Sequence, residues 1–202
     1  MIQQTKIQFL PAEMELVSSP DIILTKNAIL QKIKSFFEEL QMKQQDILKK
    51  YSPQLPEEVL KISPKISRGE NYKGLPWLVL DNPRYFQHNN IFAIRTMFWW
   101  GNFFSITLHL SGNNKTEFLK KISGHFSLLG DTDFYIYTGQ KEWEHDIDPT
   151  TYKRISSFNK ELEQVITENS FLKLAVKFPI DSLEAIEEKL LKNFELLVKC
   201  CC

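Results

Sequence analysis

The stretch from residue 91 to residue 111, IFAIRTMFWWGNFFSITLHLS, holds the densest run of aromatic and β-branched side chains in the chain. One Gly-Asn pair divides it. Two such runs around a short glycine-containing break predict a β-hairpin. Successive side chains of a strand point to opposite faces. Phe92, Ile94, Thr96 and Phe98 therefore share one side of the first strand, and Ala93, Arg95, Met97 and Trp99 the other. In the second strand Phe104, Ile106, Leu108 and Leu110 oppose Phe103, Ser105, Thr107 and His109.

Loop length decides how these sets combine. A two-residue Gly101-Asn102 turn would set Arg95 against Leu108 and mix polar with apolar side chains on both faces. A three-residue loop, Trp100-Gly101-Asn102, pairs Trp99 with Phe103 and Arg95 with Thr107. One face is then apolar except for Thr96. A slip of one residue flips every side chain, so burial selects the segregated register, with left-handed geometry at Gly101 or Asn102. The reverse face then carries Arg95, Ser105, Thr107 and His109 beside Met97, Trp99 and Phe103.

Around this ribbon the pattern predicts a single α+β domain over residues 1–202. Its sheet is five-stranded and mainly antiparallel, with four helices packed mainly on one face. Residues 1–20 read as an extended lead-in, and an amphipathic helix is expected from about 25 to 51. The segment 52–74 reads as irregular, with a brief helical turn at 57–60. A strand is expected at 75–81, a turn at Asn82-Pro83, and a helix after residue 114 ending near Gly130. A fourth strand falls at 133–139. Asp148-Pro149 has the chemistry of a helix start. A fifth strand, 171–178, carries Lys173 and Lys177 on one side and is expected at a sheet edge. Asp181 and Glu184 have capping-box spacing for a last helix. Helical connections leave room for one parallel strand pair.

Composition bounds the function classes. The formal charge is zero at 43% hydrophobic and 25% charged residues, so the global balance favours neither nucleic acid nor an anionic membrane. No apolar run approaches the ~20 residues that cross a bilayer, and the start lacks a signal-peptide pattern. The only cysteines, Cys200, Cys201 and Cys202, close the sequence, so no disulfide framework is expected and the cytoplasm is the natural compartment. Residues 199–202 are expected to fray. Lysine far outnumbers arginine, which we read as the bias of an AT-rich bacterial genome.

Three groups of residues carry potential chemistry. Arg95, Ser105, Thr107 and His109, with Trp99, Met97 and Phe103, suit a small anion held by a guanidinium fork beside stacking rings. The same face suits, and more readily, a cross-strand ladder in which Arg95 lies over Thr107 and pairs with a carboxylate from a covering helix or from Asp81, or else a surface covered by a second copy of the protein. Glu142, Glu144, His145, Asp146 and Asp148 are dense in metal-ligating types, with His145, Glu142 and Asp146 foremost. Their crowding into seven residues fits the acidic start of a helix better than a metal motif. The loop 67–74, with Arg68 and nearby Arg84, has glycines and cations but no phosphate-loop spacing; both arginines join Arg95 if the loop folds over the hairpin. No nucleophile elbow, metal motif or cofactor signature occurs. The leading expectation is a cytoplasmic, non-enzymatic protein that associates with itself or a partner through the aromatic sheet face. The alternative is a small-anion binder or enzyme using Arg95 and His109.

Overall fold

The computed structural model describes residues 7–126, 129, 132–157 and 160–202. The expected lead-in before residue 7, the helix end near Gly130, and Phe158 and Asn159 lie outside them. In chain order the elements are α1 (Pro11–Ser18), α2 (Pro20–Tyr51), α3 (Glu57–Leu60), β1 (Lys65–Tyr72), β2 (Leu75–Gln87), β3 (Asn90–Trp99) and β4 (Phe103–Ser111). There follow α4 (Gly112–Gly124), β5 (Tyr135–Tyr137), β6 (Tyr152–Arg154), α5 (Lys160–Glu168), β7 (Phe171–Pro179) and α6 (Ile186–Cys200). The fold is α+β. All strands join one sheet in the order β1-β2-β3-β4-β7-β5-β6, and every pair is antiparallel.

The central hairpin has the segregated register. Trp99 pairs with Phe103, Met97 with Ser105, and Arg95 with Thr107. The Asn102 N–H donates to the Trp99 carbonyl at 3.1 Å, and Gly101 supplies the positive φ of 72° that this loop needs. Its apolar face is the floor of the main core. Phe92, Ile94, Phe98, Phe104, Ile106 and Leu108 pack with Phe37 and Leu40 of α2, Phe118 of α4 and Phe194 of α6. Thr96, the one polar residue on this face, is satisfied rather than exposed. Its hydroxyl accepts from Gln44 of α2 at 3.2 Å, and the Gln44 amide oxygen accepts from Asn82 at 3.2 Å. Burying each large apolar side chain here contributes roughly 1.5–3 kcal/mol.

Several expectations are corrected. Seven strands and six α-helices, among the described residues, replace the five and four expected. The lead-in is helical at α1, and the long helix begins at Pro20, because proline fits the first helical position where its missing N–H has no partner to lose. The irregular segment contains β1, paired to β2 through a tight turn at Lys73-Gly74 with φ of 51° and 83°. No parallel pair forms among the described residues.

Asn82-Pro83 does not turn the chain. It bulges β2, which runs on to Gln87 because the residue lacking an N–H sits where the ladder skips. Asp148-Pro149 opens no helix: the Asp148 carboxylate accepts the Thr150 N–H at 2.8 Å and closes a turn leading into β6. Asp181 and Glu184 form no capping box, since a short 3-10 turn and a left-handed Ala185 (φ 57°) precede α6. Nor does the C-terminus fray: Cys200 and Cys201 are fully buried in the main core.

The largest correction concerns β7. It lies between β4 and β5, not at an edge, and Lys173 is 1% exposed. Its lysines do not shield a free edge. They reach the segment that covers the sheet's second face.

Candidate functional site

The reverse face is roofed by residues 138–151, the acidic stretch between β5 and β6. Lys173 pins this roof by donating its ammonium to the carbonyl oxygens of Glu142 and Glu144. Lys177 donates to the Ile147 carbonyl at 2.8 Å. The Tyr72 hydroxyl, from the end of β1, donates to the Glu144 carboxylate and accepts the backbone N–H groups of His145 (2.8 Å) and Asp146 (2.9 Å). Below the roof, Met97, Trp99 and Phe103 join Val79, Tyr137 and Tyr152 in a second, smaller apolar cluster.

The polar residues form a connected network. Arg95 grips Asp81 with both arms of its guanidinium, Nε to Oδ1 at 2.7 Å and Nη2 to Oδ2 at 2.9 Å. Its remaining arm meets His145 Nε2 at 3.0 Å. A guanidinium only donates, so His145 Nε2 is the acceptor and that ring is neutral. Burial, with Lys173 and Arg95 close by, pushes the His145 pKa down to about 2. His109 Nε2 lies 2.9 Å from Glu142 Oε1. Burial, Lys173 and Arg95 hold its pKa down to about 3, so the neutral imidazole donates Nε2–H to the carboxylate. Burial and the nearby Arg95 cation bring the Lys173 pKa down to about 7, against the raising pull of Glu144 and Glu142. Burial, aided by Glu144, raises the Tyr72 hydroxyl to about 12.

The hairpin thus places Arg95, Ser105, Thr107, His109, Met97, Trp99 and Phe103 on one face, but that face belongs to the interior. Ser105, Trp99 and Phe103 are each under 7% exposed. They offer no surface to a second copy, because the chain's own roof occupies it. The Asp81 partner for Arg95 is the ladder reading of that face. Of the other two candidate arginines, Arg68 pairs with Leu78 on the helix side and is separated from Arg95. Arg84 pairs with Ala93, hence shares the Arg95 face.

The metal-ligating types are dispersed. Glu142 faces His109, His145 faces Arg95, and Asp146 accepts from Lys73 at 2.8 Å. Among the described residues, no three side chains of His, Cys, Asp or Glu converge on one point.

The roof leaves one side open. At the outer end of the face a cleft of about 460 Å³ lies between β1, β2, β3 and Trp143 of the roof. Trp77 and Trp143 line it, with Arg84 and Lys65 at its margin and the Asp81–Arg95 pair on its floor. Sequence reasoning placed Trp77 with Arg84 just after the 67–74 loop, and did not single out Lys65 or Trp143 for this position. The signal lay in β1, whose Gly69 sits opposite Trp77. A Cβ at Gly69 would lie 2.6 Å from the Trp77 ring, so glycine lets the indole lie across the strand. Comparison with known proteins adds no relative: no family model, no curated protein and no solved structure matches the chain.

Proposed function

We propose that this is a cytoplasmic self-associating protein whose contact surface is its N-terminal apolar segment rather than the hairpin's reverse face. One observation carries the reading. Nine large apolar side chains between residues 7 and 24, among them Phe9, Leu10, Met14, Val17, Ile22 and Leu24, are 46–80% exposed, and α1 buries none of its residues. Scattered exposed apolar side chains are ordinary, but a contiguous set of this size marks an interaction site.

A second copy is the occupant the chemistry favours. At roughly 100 Å² each, these side chains offer an area of the order of the ~800 Å² that each partner buries in a standard interface. Beside them a cleft of about 530 Å³, lined by Ile22, Ile29, Leu75, Pro76 and Trp100, has the apolar walls to receive such a side chain. The described part of the segment carries Glu13, Glu15 and Asp21 against Lys26, a negative balance that opposes an anionic bilayer. Among the described residues no helix is long and apolar enough to cross a membrane. The unpaired cysteine thiols accord with a reducing compartment.

Sedimentation velocity on the full chain at micromolar concentration tests the proposal. A dimer is expected, with Met14→Glu and Val17→Glu variants sedimenting as monomers. A monomer across the whole concentration range overturns it.

A further inference from the structure

We infer that the cleft between β1, β2 and Trp143 is a binding site for a compact organic anion carrying a planar ring. Its residues are distinct from those of the N-terminal surface. The argument begins with charge. Among the described residues Asp81 is the one carboxylate lining the cleft, and Arg95 already neutralises it through two hydrogen bonds. That leaves Lys65 and Arg84 in surplus. Arg84 donates Nε to the Ser63 carbonyl at 3.2 Å, which anchors the guanidinium and leaves its two terminal nitrogens facing no carboxylate among the described residues. Lys65, opposite Asp81 on the edge strand, has no acidic partner among them either. A neutral chain thus concentrates two unpaired cations at one concavity, and low-dielectric walls focus their field.

The walls add the second half of the recognition. Trp77 and Trp143 present indoles, and Phe86 stands behind Trp143 with ring centroids 6.2 Å apart. The Arg95 guanidinium carbon lies 5.9 Å from the Trp143 ring and fixes that indole at the mouth. Trp143 is nevertheless 52% exposed, so much of the indole stays accessible to a ligand. The volume lies within the ~300–1,000 Å³ of small-molecule sites. A guanidinium and an ammonium suit one carboxylate or phosphate group, and the indoles suit an attached ring.

The β2 bulge makes this arrangement possible. Asp81 pairs with Arg95 and Arg84 with Ala93, three residues of β2 spanning two of β3. The extra residue brings Arg84 to the same face as Asp81; in a regular ladder it would point to the helix side.

Calorimetric titration of the full-length protein with four probes tests the site: AMP and benzoate as ring-bearing anions, inorganic phosphate as a ringless anion, and adenosine as an uncharged ring. At least one ring-bearing anion is expected to bind saturably, at least tenfold more tightly than its ringless or uncharged control. Lys65→Gln with Arg84→Gln should weaken it tenfold or more. Trp143→Ala should weaken the ring-bearing anion by a similar factor and leave phosphate unchanged. Lys65 and Trp143 are surface residues, so thermal melting should show both variant proteins folded. No saturable binding of any probe at millimolar concentration overturns the inference, as does binding that the double variant leaves unchanged.

Discussion

The two faces of the sheet are both buried, and by different means. On the helix side α2, α4, α5 and α6 lay hydrocarbon against hydrocarbon, with the Thr96–Gln44–Asn82 chain as a hydrogen-bonded exception. On the reverse side no helix is present among the described residues, and a loop is held down by Lys173, Lys177, Tyr72, His109 and the Asp81–Arg95 pair. The first face draws its stability from area removed from water, which protons do not change. The second depends on which groups are charged. Below the pH at which the thiols of Cys200 and Cys201 ionise in the unfolded chain, the main core, whose burial holds those thiols protonated, is the pH-indifferent side and the roofed face the pH-dependent one.

The sharpest break comes from Arg95→Ala, which leaves Asp81 buried without its partner. A loss of about 3–5 kcal/mol in urea unfolding at pH 7 is expected, comparable to the ~3–5 kcal/mol for Phe104→Ala on the helix side. The two part company in a double variant: adding Asp81→Leu to Arg95→Met should recover most of the loss. No second substitution across the dry face has that effect on Phe104→Ala.

Proton linkage sharpens the contrast. His109 and His145 stay neutral in the folded protein down to about pH 3 and 2, whereas in the unfolded chain they take up protons below about pH 6.5. The unfolded state binds more protons throughout that window, so stability falls as pH drops from about 6.5 toward 3. The slope should correspond to one to two protons, each about 1.4 kcal/mol per pH unit. Lys173 acts at the other end. Its folded pKa is about 7 against roughly 10.4 unfolded, so the cost of its buried charge is fully present below pH 7. That cost lifts as pH rises toward 10. Urea midpoints measured from pH 4 to 10 should show both limbs. Lys173→Met should erase the alkaline limb and, by removing a cation that helps depress His109 and His145, make the acid limb shallower. A flat profile for the parent protein would refute the division between the faces.

Smaller effects test the edges of the comparison. Gly69→Ala forces a methyl into the Trp77 ring and should cost about 1–3 kcal/mol, with a shift in tryptophan emission as the indole leaves the cleft wall. Smallest of all, Met14→Glu on α1 should change the folding stability of the dilute monomer by less than about 0.5 kcal/mol, since that helix buries nothing within its own chain, while altering sedimentation at micromolar concentration.

The sequence made the dry face legible and the roofed face only in part. Alternation through 91–111 and the parity of a three-residue loop fix which hairpin side chains travel together, and Arg95 with His109 follow from that alone. The parity of β2 was hidden, because the bulge at Asn82-Pro83 resets it and nothing periodic announces a bulge. β1 escaped notice because it is an edge strand of polar residues with a glycine at its centre, lacking the alternation that marks a half-buried strand. The roof has no period at all. Its shape comes from Lys173 and Tyr72, distant residues whose own patterns suggested an edge strand and a surface loop. A lysine alternating with leucines reads the same whether its ammonium meets water or a backbone carbonyl.

The roof is joined to the sheet on both sides, through β5 and β6, and this tether works as a standing competitor. A segment on short linkers faces its own docking surface at an effective concentration of the order of millimolar. Any outside molecule seeking Arg95 and His109 must outbid that internal occupant, whereas one entering beside Trp143 displaces only solvent.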